Sequence, residues 1–362
     1  MTGKKKNLFS SEERLLLKKH IGPSNLLIGK TRSCLDAVHA SPPKRKEVLI
    51  AISGEEHSNK YKRWKRYQSL RRTHEIYTAE IARGVAKRTG SSYFSPKRSR
   101  IYSDLNRNIY ASKTINNIPL IKTPQQAQNA IDVMLKNIFK NIGIIDSEQN
   151  LTKPFLHLSI HGKANTKNDF VIANGMKNNL LPCHPQLALW VAHFLRERID
   201  KKYKVAVARE ADALCGSTIN VVRRIRLGEN YQHLQIEISY KARTKQSKEI
   251  ILLLSELVRY FEKNFNSLER IATLPLGTRD KHRLRGHLYY KNYTIKKSDG
   301  DNIIRLNPSL RKALGVKAKD TVLVNKKKFR VLSTRKRTQN KKFPILLSKS
   351  PVNGAIVIKK TT

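Results

Sequence analysis

Two apolar segments of the sequence end in residues that could hold a metal ion or move a proton. The first reads Phe155-Leu-His-Leu-Ser-Ile-His161-Gly, and the second reads His233-Leu-Gln-Ile-Glu237-Ile-Ser. Ligands of open α/β sheets sit outside the carboxyl ends of the strands, so we expect His161 and Glu237 to meet in one cleft. An imidazole is a common metal ligand, and a carboxylate on an otherwise apolar strand suits a general base. The two segments therefore predict a metal site with a catalytic base, Glu237, beside it.

A catalytic zinc ion takes about three His or carboxylate ligands and a water molecule, whose pKa it lowers to about 7. We expect His57 and His161 to supply two of the ligands, and either Glu56 or Glu75 to supply the acidic one. Glu55 lies in the same turn as His57 and is able to substitute. The predicted cofactor is one divalent metal ion, with zinc as the ion that this set of ligands favours.

Two neighbouring polar residues are candidates for binding a substrate. The guanidinium of Arg107 can bind a carboxylate through two parallel bonds, and Asn106 can donate or accept beside it. With Arg100 in the same segment, they predict a small substrate that bears a carboxylate, such as an N-acyl amino acid. The alternative is that Asn106 and Arg107 clamp a loop together with Asp104.

Four short motifs occur in an order that resembles the N-formylglutamate amidohydrolase family and its relatives, the zinc carboxypeptidase-like amidohydrolases. The resemblance covers about residues 47–245. The motifs are Ser53-Gly-Glu-Glu-His57, Ser99-Arg-Ile-Tyr-Ser-Asp104-Leu-Asn106-Arg107, Leu158-Ser-Ile-His161-Gly162 and Leu234-Gln235-Ile-Glu237-Ile-Ser. The resemblance implies metal-dependent hydrolysis of an amide bond in an N-formyl or N-acyl amino acid.

The chain departs from the family pattern at two of these motifs. Its first turn lacks the usual Pro-His-x-Gly, which leaves the position of His57 as a ligand open. Ser159 stands where the family has an Asp two residues before the His. His157 is interpreted as structural, and Glu237 has the alternative of a salt bridge to an arginine of the Arg223-Arg224-Ile-Arg226 segment.

Alternating strand and helix patterns predict how these residues are positioned. Strands are expected at 48–52, 155–160, 204–208 and 233–239, and helices at 75–89, 124–142, 184–199 and 248–265. Strands separated by helices of this length predict an α/β fold of the phosphorylase/hydrolase-like kind, with a mainly parallel sheet and helices on both faces.

The sequence divides into three predicted parts. Residues 1–46 look like a basic N-terminal extension that packs loosely or acts as an anchor, and residues 47–275 form the α/β domain. After about residue 280, many short strands separated by Lys, Asn and Gly turns predict a small β-barrel domain over 281–362. About residues 293–362 weakly resemble the swapped-hairpin and double-psi barrels.

The charge of the chain suggests a second type of partner. Lys and Arg number 73 against 27 Asp and Glu, which gives a formal net charge of +46. Such a field attracts polyanions, and aromatic residues alternate with basic ones at 60–67, a pattern that favours nucleic acid. The rival to the enzyme hypothesis is therefore a non-catalytic nucleic-acid-binding protein on a degenerate hydrolase scaffold.

Cysteine content and hydropathy indicate the compartment. The three cysteines, Cys34, Cys183 and Cys215, show no CxxC spacing, so neither a disulfide framework nor a structural zinc knuckle is expected. No apolar segment is long enough to cross a bilayer. These features predict a cytoplasmic protein with no membrane partner, and they leave its oligomeric state open.

Overall fold

The computed structural model of the chain describes part of its length. The described residues are 8–42, 44, 74–100, 105, 114–115, 118–119, 125–173, 183–208, 223–224, 226–272, 274, 291–292, 302–306, 311, 316–324, 327–333, 345–347 and 358–360. The strand predicted at 48–52 lies outside them.

A seven-stranded sheet forms the centre of the α/β part. Its strands are β1 (Leu26–Leu27), β2 (Ser33–Asp36), β3 (Ser92–Phe94), β6 (Phe155–Lys163), β7 (Phe170–Ala173), β8 (Val205–Val207) and β9 (Tyr231–Ser239). They lie in the order β1-β3-β2-β6-β9-β7-β8, and a separate pair consists of β4 (Thr114–Ile115) and β5 (Ile118–Pro119). Four neighbouring pairs of the sheet are parallel, whereas β1–β3 and β7–β9 are antiparallel. The prediction of an α/β fold with a mainly parallel sheet is confirmed.

Helices connect and cover these strands. They are α1 (Ser11–His20), α2 (Thr78–Thr89), α3 (Gln125–Asn141), α4 (Pro185–Arg198), α5 (Tyr240–Asn264) and α6 (Leu268–Ala272). Helix α1 begins with a capping box between Ser10 and Glu13, and α2 ends at Gly90, whose positive φ of 70° suits a residue without a side chain. Within the described ranges, no helix combines the length and apolar composition that a bilayer crossing requires.

The two faces of the sheet pack against different helices. Leu158 and Ile160 of β6, with Leu234 and Ile236 of β9, are fully buried in a core shared with α2, α4 and α5. On the opposite face, aromatic residues at the beginning of β6 and β9 pack with α1 and α3. Helices therefore lie on both faces, as the sequence predicts, and truncating one of these core leucines to alanine is expected to cost about 2–5 kcal/mol.

The position of β2 corrects one part of the sequence analysis. Its four residues are buried between β3 and β6, with parallel pairing to both. Residues 33–36 are thus an internal strand of the sheet rather than part of a loosely packed extension. The sequence Ser-Cys-Leu-Asp has no run of β-branched residues, so its place in the sheet depends on the partners on either side.

The C-terminal part contains a second sheet. Its strands are β10 (Lys291–Asn292), β11 (Ile303–Leu306), β12 (Thr321–Val324), β13 (Lys327–Ser333), β14 (Ile345–Leu347) and β15 (Ile358–Lys360). They lie in the order β10-β14-β11-β13-β12-β15. The predicted short strands are present here, while closure into a barrel and the boundaries of the domains stay predictions.

Candidate metal centre

Strands β2, β6 and β9 are neighbours in the sheet, and one face that they share changes from apolar to polar along the strands. At the beginning of β6 and β9 this face carries Phe155 and Tyr231, which are Cα partners. Toward the carboxyl ends, three pairs of Cα partners follow on the same face: Asp36 with Ser159, His157 with His233, and His161 with Glu237. All six of these polar residues are buried. Because partners on adjacent strands project to the same side of a sheet, the register creates one continuous polar row.

An outer cluster of His39, Glu75 and His161 lies at the carboxyl end of this row. His39 Nδ1 is 2.9 Å from Glu75 Oε1, and His161 Nδ1 is 3.4 Å from Glu75 Oε2. The two imidazole rings are in edge contact, with centroids 4.8 Å apart. One ligand-type atom from each residue lies within 4.8 Å of the other two. Two imidazoles and a carboxylate are the ligands of a typical catalytic zinc site, so the residues present fit a divalent metal ion.

Three hydrogen bonds, each with a backbone group as one partner, hold Glu75 in this cluster. Its N–H donates to the carbonyl of His39 at 2.9 Å, which ties the segment before α2 to the end of β2. The hydroxyl of Thr78, the first residue of α2, donates to the carbonyl of Glu75 at 2.6 Å. The carboxylate oxygen Oε2 also accepts the N–H of Gly162 at 2.8 Å. Glu75 is therefore fixed both by the segment that follows β2 and by the carboxyl end of β6.

The charges within the outer cluster are strongly coupled. Burial would raise the pKa of Glu75, but His39 and His161 outweigh it and hold the pKa of that carboxyl well below its usual 4.5. Burial would lower the pKa of His161, but the Glu75 carboxylate outweighs it, and that pKa lies above its usual 6.5. A proton on His161 thus offsets the charge of Glu75, and a metal ion would take over that role after displacing the proton.

Glu237 lies beside the outer cluster with a different electrostatic balance. It is 4% exposed, and burial raises its pKa above 4.5 against the opposing effect of His161. Its Oε1 atom accepts a hydrogen bond from Gln235 Nε2 at 2.5 Å. A buried carboxyl with a raised pKa next to a cluster of metal-ligand residues is in a position to accept and return a proton.

Arg243, in the first turn of α5, holds together backbone segments next to the site. Its guanidinium donates to the carbonyls of Ile76 at 2.9 Å and Lys163 at 3.4 Å, and also to the carbonyl of Ile238. The side chain passes directly over Gly162, where an added Cβ would lie 2.5 Å from the Arg243 Cζ atom. Glycine at position 162 therefore allows Arg243 to join the ends of β6 and β9 to the segment that follows Glu75.

An inner cluster of Asp36, His157 and His233 lies farther back along the polar row. His157 Nε2 is 2.7 Å from Asp36 Oδ2, and His157 Nδ1 is 2.5 Å from the hydroxyl of Tyr231. Burial, followed by the effect of His157, holds the pKa of His233 well below 6.5. The ligand-type atoms of this cluster also lie within 4.8 Å of one another. The described residues thus contain two groups that could hold a cation.

The structure brings together some of the residues proposed from sequence. His161 and Glu75 lie in the outer cluster, and Glu237 is in register with His161. Arg100 is half-buried in a turn after β3. The other proposed residues lie outside the described part of the chain, namely the ligand candidates His57, Glu56 and Glu55 and the substrate-binding candidates Asn106 and Arg107.

The sequence analysis missed His39, the second imidazole of the outer cluster. His39 follows the short strand β2, whereas the analysis expected the first ligand after a strand at 48–52. A signal was present, because a His three residues beyond a buried strand is the arrangement that was sought near His57. His157, which is interpreted as structural from the sequence, contacts Asp36 and Tyr231 and belongs to the inner cluster.

Comparison with known proteins adds a structural likeness. The chain is similar to several solved structures, one of which is an N-formylglutamate amidohydrolase. An N-formylglutamate amidohydrolase from Ralstonia eutropha JMP134 shares 14% identity over 66% of this chain and 98% of that one, with a TM-score of 0.43. The gene product Atu2144 from Agrobacterium tumefaciens shares 12% identity over 70% of this chain and 96% of that one, with a TM-score of 0.46.

A zinc-free apo structure of YNDL shares 12% identity, covers 67% of this chain and 91% of that one, and has a TM-score of 0.31. No protein-family model and no curated protein match the chain. Function therefore has to be inferred from the residues of the site.

Proposed function

We propose that the chain is a metal-dependent hydrolase that cleaves an amide bond in an N-formyl or N-acyl amino acid. His39, Glu75 and His161 would hold one divalent metal ion, and zinc is the ion that two imidazoles and a carboxylate favour. The observation that carries the proposal is the convergence of these three side chains from three separate segments, with Glu237 beside them. Such an ion polarises a carbonyl group and lowers the pKa of a water molecule.

Glu237 would move the proton in this reaction. Water adds to the amide carbonyl and gives its proton to Glu237, which passes it to the nitrogen as the carbon–nitrogen bond breaks, so that an acid and an amine are released. Because Gln235 already bonds to Oε1, we assign this transfer to Oε2. The burial that raises the pKa of Glu237 brings that pKa closer to neutrality, which suits a group that must both take and return a proton.

The substrate class is proposed from the arginine in the sequence motif and from the resemblance. Arg107 would bind the carboxylate of the substrate with two parallel bonds, and Asn106 would bind beside it. Arg100 belongs to the same motif. A formyl or other acyl group on the nitrogen of a glutamate-like amino acid would then present its carbonyl to the metal centre.

Metal content and product release test this proposal together. Protein dialysed against zinc should retain about one ion per chain, measured by mass spectrometry, and should release formate from N-formylglutamate. His161→Ala should lose most of the ion and the activity. His193→Ala is the matched control, because His193 is a partly exposed histidine on α4, and it should retain both. Wild-type protein that takes up no metal would refute the proposal.

The net charge supports a second candidate function, nucleic-acid binding. A formal charge of +46 on 362 residues provides a strong field for a polyanion, whatever the chemistry of the cleft. A chain that binds oligonucleotides and contains neither metal nor amidase activity would favour the degenerate-scaffold alternative. A chain that binds oligonucleotides and also shows metal-dependent amidase activity would combine the two functions.

A further inference from the structure

Ser159 of β6 contacts an acidic residue on the neighbouring strand as well as His161. Asp36 of β2 is the Cα partner of Ser159 on β6, so both side chains project from the same face. The hydroxyl of Ser159 donates to Asp36 Oδ1 at 2.5 Å and lies 3.3 Å from His161 Nε2. The Ser159 hydroxyl thus lies between the carboxylate of Asp36 and the imidazole of His161.

We propose that Asp36, acting through the Ser159 hydroxyl, is the positioning residue that sets the orientation and tautomer of His161. In this arrangement His161 Nε2–H donates to Ser159 Oγ, and Ser159 O–H donates to Asp36 Oδ1. The lone pair of His161 Nδ1 is then directed toward Glu75, where the metal ion would bind. This proposal rests on the proposed function in one respect, namely that the group bound by His161 is a metal ion.

Other contacts hold the carboxylate of Asp36 in the position from which it accepts the hydrogen bond of Ser159. Its second oxygen, Oδ2, lies 2.7 Å from His157 Nε2, and the other ring nitrogen of His157 is held by the Tyr231 hydroxyl. Burial would raise the pKa of Asp36, but its contacts with His157 and Ser159 outweigh burial and keep that pKa below its usual 3.8. Asp36 therefore stays ionised at neutral pH, with the Ser159 hydroxyl donating to Oδ1 and the His157 imidazole within ion-pair distance of Oδ2.

The same contacts argue against a second metal ion in the inner cluster. Asp36 is the only carboxylate in that cluster, whereas at the outer cluster Glu237 lies beside Glu75 and His161, so a divalent ion in the inner cluster would leave an uncompensated positive charge in a site that is 3% exposed or less. The positive charge of the buried Arg223 also acts on His233. A buried charge is costly unless it is paired, so one carboxylate beside the positive charge of Arg223 is a poor match for a divalent ion.

Residues that orient a ligating histidine typically change metal affinity or activity by about 10–100-fold when they are removed. Ser159→Ala should therefore weaken zinc binding by about 10–100-fold, measured by competition with a chromophoric chelator. Ser159→Thr keeps the hydroxyl and should restore wild-type affinity. Ser255→Ala removes another fully buried hydroxyl, one that bonds only within α5 according to the described contacts, and should leave zinc affinity unchanged.

A double-mutant comparison tests whether Asp36 acts through Ser159. Asp36→Asn removes the charge with little change in shape, and alone it should weaken zinc binding. In the Ser159→Ala background the same substitution should have little further effect, because the connection to His161 is already broken. Fully additive losses, or wild-type affinity of Ser159→Ala while His161→Ala loses the metal, would refute the positioning role and leave the proposed function standing.

The tautomer of His161 provides a readout that needs no metal. Nitrogen chemical shifts of isotope-labelled histidine, recorded on metal-free protein at alkaline pH, should show the proton of His161 on Nε2 in the wild type and a mixture of tautomers in Ser159→Ala. A wild-type Nδ1–H tautomer would overturn the inference even if the protein binds zinc. A chain that binds no metal but has the Nε2–H tautomer would refute the proposed function and support the positioning role. Two zinc ions per chain, one of which is lost in His233→Ala, would overturn the assignment of the inner cluster.

Discussion

Replacing Glu237 by Gln separates catalysis from support of the fold. The two side chains have nearly the same shape, and the amide oxygen of a Gln can still accept the hydrogen bond that Gln235 Nε2 donates to Glu237 Oε1. The change removes the ionisable group, and with it the negative charge and the ability to take and return a proton. Because Glu237 is not among the three residues of the outer cluster, metal content should be unchanged.

The expected loss of activity follows from the role assigned to the carboxylate. A general base contributes a factor of about 10² to 10⁴ to the rate, which corresponds to about 2.7–5.4 kcal/mol of activation free energy. We expect kcat for formate release from N-formylglutamate to fall by that factor in Glu237→Gln. Zinc content, measured on the same samples, should stay at the wild-type level.

Stability should change in the opposite direction to activity. The folded-state pKa of Glu237 is raised above 4.5, so the folded protein binds this proton more tightly than the unfolded chain does. The free energy of unfolding of the wild type therefore decreases as the pH rises from about 4.5 through the folded-state pKa. Gln carries no such proton, so metal-free Glu237→Gln should become more stable than metal-free wild type over that interval, as followed by urea unfolding.

Two results would contradict this reasoning. If Glu237→Gln keeps wild-type kcat, the residue is not the base. If the variant is instead destabilised and metal-free, Glu237 serves as a ligand or as a buried ion-pair partner, and the base has to be sought among Glu55, Glu56 and Glu75.

Three further predictions concern the support of the site, substrate binding and the charge of the chain. Gly162→Ala should displace Arg243 and cost about 1–3 kcal/mol in urea unfolding, and Arg243→Met should cost much less in that background than in the wild type; equal costs would show that the two residues do not interact. Arg107→Lys should raise the KM for N-formylglutamate more than it lowers kcat, because an ammonium group cannot form two parallel bonds to a carboxylate; an unchanged KM would exclude Arg107 from carboxylate binding. Affinity for a random oligonucleotide should fall linearly with the logarithm of salt concentration, with a smaller slope after deletion of 281–362; negligible binding at low salt would rule out a nucleic-acid partner.

Local sequence patterns were sufficient for the elements with strong periodicity. The apolar alternation of β6 and β9 and the helical spacing of α2 to α5 predict an α/β fold, because these patterns record which side of each element is buried. They also predict that His161 and Glu237 lie at strand ends that meet in one cleft, whereas the direct pairing of β6 with β9 is seen only in the structure. Short elements were harder to identify: β2 reads Ser-Cys-Leu-Asp and lacks β-branched residues, so its place as a strand depends on its neighbours, whereas β7, with Val171 and Ile172, carried a short apolar signal that was not used.

The composition of the site was decided by tertiary structure. Sequence identified Glu75 and His161 as candidates, but the histidine that meets them in the described part of the chain is His39, which a backbone hydrogen bond links to Glu75. Sequence likewise shows Ser159 two residues before His161, without revealing that Asp36 lies opposite it. Strand register places residues that are 123 positions apart within hydrogen-bonding distance. Local patterns record which face of an element is buried, whereas the pairing of strands decides which residues share that face.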